Sequence, residues 1–357
     1  MLLKSLPVFF VACAGGSLFS LSHIPLPWTL GPMVAAVLWK TWLKKPVYWP
    51  KKMRNIGMLV LGYVMGSPFT PETGRQIIGQ LPAMLAVTLL IIAVCLTTSY
   101  LAGRATGIGL ANSLIGGMPG GLSQMAMICE ETKGTDVSVV TIMQTIRLLT
   151  VVFTVPFVAL HGIAGKTSAV KPQAAPITIQ DIPLLCVFFV AIICAISFIK
   201  YIRFPSPYVI GPVLGTAALT LAGIHAPVLP PPVIAAAQIF VGIKMGLDLE
   251  VTRLSNWRTI ALSSFASVIT AIFLLLGAAY LLSLLSSIPL ITVFISMAPG
   301  GMSEMALTAM IANADLSTVV AYQLFRLLFI LVVAIPTARW WLTRNEHNLC
   351  SSTGIQK

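Results

Sequence analysis

Residues Ile24-Pro25-Leu26-Pro27-Trp28-Thr29-Leu30-Gly31-Pro32 return 180 positions later as Phe204-Pro205-Ser206-Pro207-Tyr208-Val209-Ile210-Gly211-Pro212. The same offset carries Gly62-Tyr63-Val64-Met65-Gly66 onto Gly242-Ile243-Lys244-Met245-Gly246. It also carries Met118-Pro119-Gly120-Gly121-Leu122-Ser123-Gln124-Met125-Ala126 onto Ala298-Pro299-Gly300-Gly301-Met302-Ser303-Glu304-Met305-Ala306. After one deletion, Asp136, Ser138, Gln144 and Arg147 fall on Asp315, Ser317, Gln323 and Arg326. Separate blocks kept in one order are the mark of a tandem duplication, so the fold must be one plan executed twice. The copies are residues 1–160 and 182–342, with a polar linker 161–181 between them and a polar tail 343–357.

The solvent of that plan follows from charge. Only 9% of the residues are charged and 57% are hydrophobic, against about 25% charged in a soluble domain. Stretches 81–101, 137–160, 182–199, 259–285 and 317–338 each approach the roughly 20 apolar residues that a bilayer span needs. The N-terminal run, Lys4 followed by apolar residues, has the look of a cleaved signal peptide. Residues 5–22 align with 182–199, however, so the run is expected to be a retained first helix.

The same reading excludes several functions. Six cysteines carry no CxxC and no pairing pattern; Cys13, Cys95, Cys129, Cys186 and Cys194, though not Cys350, are expected to be small apolar packing residues. His23, His161, His225 and His347 stand singly at segment ends, so neither a metal nor a cofactor is expected. No Walker-type loop and no nucleophile elbow is present, and an enzyme is not expected. The net charge of +12 is distributed as short basic clusters between apolar stretches, and the polar stretches are too short for a helix-turn-helix domain. The expected partners are therefore the lipid bilayer and a small solute, without direct contact to nucleic acid; association into a homo-oligomer stays open.

Each half holds about six apolar segments, in the first half near 5–22, 27–43, 55–67, 80–102, 109–129 and 137–160. The third is short for a span, and the fifth is interrupted by Gly116-Gly117-Met118-Pro119-Gly120-Gly121. In the first half the basic loop follows segment two, with Lys40, Lys44, Lys45, Lys51, Lys52 and Arg54. In the second half the cations follow segments one (Lys200, Arg203) and three (Arg253, Arg258) instead. Cytoplasmic loops are the basic ones, so the halves are predicted to be inverted. Inversion needs an odd number of crossings per half. The expected fold is an all-α membrane protein of two inverted repeats, about five crossings plus one broken or re-entrant segment each, in the cell (inner) membrane with both termini cytoplasmic. Twelve crossings in parallel repeats is the alternative.

Inverted repeats with broken helices point to a binding site where the breaks meet near the midplane. The candidate substrate-binding residues are Pro119, Gly120, Gly121, Ser123 and Gln124 of the first break, and Pro299, Gly300, Gly301, Ser303 and Glu304 of the second. Ser123 and Ser303 are placed to cap the helix that resumes, whose N-terminal end would attract an anion. Close helix packing by small residues is the alternative for the paired glycines. Gln144, Arg147, Gln323 and Arg326 complete the set: each Arg lies inside an apolar helix three residues after a Gln, on the same face. These arginines either bind a carboxylate or phosphate, or tie down the broken helix through backbone carbonyls or Glu304. Glu304, opposite Gln124, is either a coupling group for a proton or cation, or a salt-bridge partner. Asp136 and Asp315 are expected to cap the last helix of each half, and Gly62-x-x-x-Gly66 and Gly242-x-x-x-Gly246 to be packing motifs. Lys244 either snorkels or faces a cavity.

The doubled pattern of Gly31-Pro32 and Gly211-Pro212, the Pro-Gly-Gly breaks, and Gln-x-x-Arg-Leu-Leu at Gln144 and Gln323 resembles the bacterial AbrB membrane family over nearly the whole chain. Members carry labels as regulators of gene expression or as ammonia monooxygenases, and the name is shared with an unrelated soluble DNA-binding regulator. The family also looks distantly like cation–proton antiporters and anion transporters. The resemblance marks Pro119 to Gly121, Pro299 to Gly301, Gln144, Arg147, Gln323 and Arg326. Isolated histidines sit badly with a monooxygenase, the lack of a soluble domain with a transcription factor, and the lack of paired intramembrane aspartates with a sodium–proton exchanger. The expected function is a secondary transporter or permease for a small anionic solute; the alternative is a membrane sensor acting on gene expression through a partner.

Overall fold

A backbone in lipid must satisfy its own hydrogen bonds, and this chain does so in helices. A computed structural model describes residues 2–42, 49–120, 125, 128–129, 135–163, 181–204, 206–249, 256–286 and 288–344. The first copy contributes α1 (Leu2–Leu21), α2 (Pro27–Trp42), α3 (Lys51–Gly66), α4 (Pro71–Thr106), α5 (Leu110–Gly117) and α6 (Val137–Phe157). The second contributes α7 (Asp181–Tyr201), α8 (Pro207–Leu221), α9 (Pro231–Asp248), α10 (Trp257–Leu285), α11 (Leu290–Met297), α12 (Met302–Ile311), α13 (Leu316–Phe329) and α14 (Ile335–Arg344). A π-helical turn extends α6 over Val158–Ile163, and another joins α13 to α14 over Ile330–Ala334. Most of the linker and of the tail, Lys44, Lys45, Arg253, Cys350 and the break residues Gly121, Ser123 and Gln124 lie outside the described residues.

Five of these helical stretches, Pro71–Thr106, Val137–Ile163, Asp181–Tyr201, Trp257–Leu285 and Leu316–Trp341, are long and apolar enough to cross a membrane. Their outer faces carry large apolar side chains such as Phe198, 64% exposed, and Leu262, 70% exposed. Exposing each of these to water would cost about 1.5–3 kcal/mol, so lipid is the medium that fits, and the chain is an all-helical membrane protein. Exposed Cys186 and Cys194 on α7 belong to this outer surface, which corrects their expected packing role; Cys95 and Cys129 are buried. The fifth segment is broken in both halves, α5 stopping at Gly117 and α11 at Met297.

One boundary differs from expectation. The fourth segment begins at Pro71, not near 80, because Thr70 and Thr73 form a reciprocal cap: Thr73 N–H donates to Thr70 Oγ1 at 3.2 Å and Thr70 N–H to Thr73 Oγ1 at 2.7 Å. Proline at the first helical position completes the start signal, which a hydropathy reading passes over.

The chain divides into two compact units, and the division cuts across the duplication. Unit 1 comprises Met1–Gln80, Ala159–Leu249 and Met302–Ala321; unit 2 comprises Leu81–Val158, Glu250–Gly301 and Tyr322–Lys357. Within unit 1 the copies are interlaced: α1 packs on α2 and α7 on α8, but α3 packs on α8 and α9 on α2. The two Gly-x-x-x-Gly motifs make those cross-contacts. A Cβ at Gly62 would stand 2.5 Å from Pro212 Cβ, and one at Gly242 2.5 Å from Thr29 O. Gly66 lies against Val213 and Thr216, and Gly246 against Met33 and Ala36, so each motif seats on the Gly-Pro helix of the other copy. The duplication reaches the backbone: His23 and Arg203, and likewise Leu26 and Ser206, share a left-handed φ between 51° and 59° ahead of α2 and α8. Within unit 2, α10 packs on α6 and α11, and α5 on α6.

Candidate functional site

A helix that stops inside a membrane leaves carbonyls without an N–H partner, and each break in unit 2 has its own solution. Gln144 of α6 donates Nε2 to the carbonyls of Ile115, Gly116 and Met118 at 3.0–3.1 Å. Arg147, one turn on, donates to Met118 O and, at 2.8 Å, to Gly120 O. In the second copy Gln323 donates to Ile295, Ser296 and Ala298 at 3.0–3.3 Å, and Arg326 to Ala298 O and, at 2.9 Å, to Gly300 O. Every acceptor in one set is the 180-position counterpart of an acceptor in the other. Of the roles open to the two arginines on sequence grounds, the geometry displays the tie to backbone carbonyls.

Those ties solvate each guanidinium without neutralising it. Lys244 pairs with Asp248 one turn along α9. Among the described residues neither Arg147 nor Arg326 has a carboxylate partner of that kind, and each stands within the other's field. A buried charge left uncompensated is costly, so unit 2 holds a net positive centre in an apolar setting.

The two arginines differ in what remains available. Arg326, 5% exposed, gives a further bond to Gln323 Oε1, whereas the buried Gln144 Oε1 has no partner among the described residues. Beside Arg147 lies a cavity of about 20 Å³, room for one water-sized occupant. It is lined by Cys95, Thr98 and Ser99 of α4, Gly116 and Gly117 of α5, Met143 and Arg147 of α6, Ser264, Ser267, Val268 and Ala271 of α10, and Pro299. The cavity thus takes its walls from both copies. The sequence reading missed Thr98, Ser99, Ser264 and Ser267. Hydroxyls on apolar helices ordinarily bond backbone, as three of these do: Thr98 to Cys95 O, Ser99 to Ser113 O and Ser264 to Ile260 O. The signal that could have found them is their clustering on one stretch of each of two otherwise apolar helices.

Glu304 sits elsewhere, on α12 in unit 1. It is 2% exposed, accepts from Ser303 Oγ at 2.8 Å and feels the field of Arg54 on α3, the helix against which α12 packs. Ser303 does not cap α12. The helix starts at Met302, so Ser303 lies inside its first turn and turns its hydroxyl to Glu304 instead. Asp136 and Asp315 do cap: Ser138 N–H donates to Asp136 at 2.8 Å and Ser317 N–H to Asp315 at 3.0 Å.

Comparison with known proteins gives the family. The family described as "Transition state regulatory protein AbrB" matches residues 28–342. The chain is 26% identical over 362 residues to "Uncharacterized protein YhjN" of Bacillus subtilis (strain 168), covering 95% of this chain and 93% of that one. It is 24% identical over 322 residues to "Putative regulator AbrB" of Escherichia coli (strain K12), covering 89% and 90% respectively. The family match takes in both breaks, both Gln–Arg pairs and both interlaced glycine motifs, and on that extent this chain belongs to the AbrB family of multi-pass membrane proteins.

Proposed function

We propose that this chain is a secondary transporter of a small anionic solute across the cell (inner) membrane, with both termini cytoplasmic and the solute bound between the two breaks near the midplane. One observation carries the reading: two guanidinium groups, one on each copy, Arg326 buried and Arg147 half-buried, lie within each other's field with no carboxylate to neutralise either among the described residues. An anion is the ligand that such a centre stabilises most. Cations of similar size are repelled by it. The broken helices meet the other requirement of a transporter, backbone that is free of regular helix yet covered by protein. In this reading the chain is not an enzyme and needs no cofactor. Glu304, a lone carboxylate at the start of a resumed helix, is the group that would couple movement to a proton.

The test is flux. Reconstituted into proteoliposomes and challenged with chloride, formate, lactate and phosphate gradients, the protein should pass at least one of them saturably. Arg147→Gln should reduce that flux at least tenfold. A second reading, a sensor that binds a solute and moves none, is favoured by the name of the Escherichia coli relative. Thermal stabilisation by an anion with no flux of any of the four would select it and end the transport proposal.

A further inference from the structure

The duplication provides an internal control, since each residue around Arg147 has a counterpart around Arg326 in the same molecule. On α4, Cys95, Thr98 and Ser99 correspond to Leu275, Ala278 and Ala279 of α10; on α10, Ser264 and Ser267 correspond to Met84 and Val87 of α4. The Arg147 surroundings hold a cavity, and those five exchanges leave its hydroxyls without counterparts at the same positions of the other copy. The remaining lining positions exchange in the opposite sense, Gly116, Met143 and Val268 corresponding to Ser296, Tyr322 and Thr88, all three buried.

We propose that the Arg147 cavity alone binds a single small monovalent anion of halide size, while Arg326 serves only to hold the second break. This deepens the transport reading above and rests on it. Donor supply separates the two arginines. A guanidinium has five N–H groups; Arg326 directs its own to Ala298 O, Gly300 O and Gln323 Oε1. Arg147 reaches Met118 O and Gly120 O, and the buried Gln144 Oε1 goes unpartnered among the described residues, so toward those residues Arg147 retains a donor that its counterpart has committed. Thr98, Ser99 and Ser264 already donate to carbonyls, which leaves Arg147 and Ser267 as the donors available to an occupant. Size and charge fix the class. About 20 Å³ admits one water-sized sphere, too little for phosphate, and one guanidinium with no carboxylate among the described lining residues matches one negative charge.

The test uses bromide as the probe on the full-length protein. Crystals soaked in bromide should show an anomalous peak beside Arg147 and none beside Arg326. In detergent, replacing gluconate by chloride should raise the unfolding temperature by several degrees. Ser267→Val, which installs the residue of the other copy, removes the hydroxyl and adds the bulk of one methyl group, should weaken bromide binding at least tenfold and abolish the chloride shift. Thr98→Ala, a second exchange toward the other copy, should enlarge the cavity and keep the peak, showing that a folded variant still binds. Peaks at both arginines, a peak at Arg326 alone, or an undiminished affinity in a folded Ser267→Val protein would overturn the proposal. So would bromide that binds only at molar concentration without any chloride shift, an adventitious ion only. If bromide binds nowhere while a larger anion is still transported, the single-site proposal fails and transport stands. If bromide binds as described and no anion moves, transport fails and the site stands.

Discussion

Arg147 and Arg326 do similar mechanical work through similar bonds, and lysine replaces each with the charge but not the fork. Losing one of two charge-assisted bonds to carbonyls, with the freed carbonyl left buried, should cost about 3 kcal/mol. Arg326→Lys should cost more than Arg147→Lys, because it also strands Gln323 Oε1. Chemical unfolding of the two variants in detergent checks the order; equal losses would deny the asymmetry between the copies. The caps make a smaller, symmetric pair. Asp136→Ala and Asp315→Ala should each cost about 1 kcal/mol, with Asp315→Ala the larger, since its carboxylate also accepts from Thr318 Oγ1 at 2.6 Å.

Helices α3 and α9 depend on glycine for a reason that is local and reciprocal. At Gly66 an added Cβ would stand 2.7 Å from Val213 O, and Gly246 presses on Met33 O, its counterpart. Backbone cannot yield as a side-chain tip does, so Gly66→Ala and Gly246→Ala should each destabilise by about 1–3 kcal/mol. Gly277 on α10 meets nothing within 4 Å. Gly277→Ala should accordingly be neutral or stabilise by up to about 1 kcal/mol through helix propensity. A thermal-shift series over the three positions separates close packing from glycine content. Should all three behave alike, the interlaced contact is not what these glycines are for.

Neither copy of the duplication can complete a unit by itself. Unit 1 draws on α1 to α3 and α7 to α9, and unit 2 on α4 to α6 together with α10, α11 and the later part of α13. Residues 1–160 expressed alone should therefore fail to give a monodisperse protein, while the two halves, separated within the linker and expressed together, should assemble. Inversion is checked on the same scale by labelling. In a cysteine-free background, Lys52→Cys and Arg203→Cys should react from the cytoplasmic face and Arg75→Cys from the opposite one. Reaction of Lys52→Cys and Arg203→Cys from opposite faces would place the copies parallel and remove the inverted-repeat basis of the proposed site.

Much of this molecule is legible in its order of residues. The duplication, the lipid environment, the two breaks, the aspartate caps and the Gln–Arg pairs all reside in residue types at fixed spacing, and spacing along a helix converts directly into a shared face. The carbonyls that those pairs grip could not be named in advance, because every residue has a carbonyl and only the path of the backbone decides which ones lose their helical partner. The exchange of α3 and α9 between copies, and the assembly of the cavity beside Arg147, were likewise decided by tertiary structure. Both depend on which distant side chains arrive at one place, as Ser264 and Ser267 do beside Arg147. No periodicity within a single segment records that meeting.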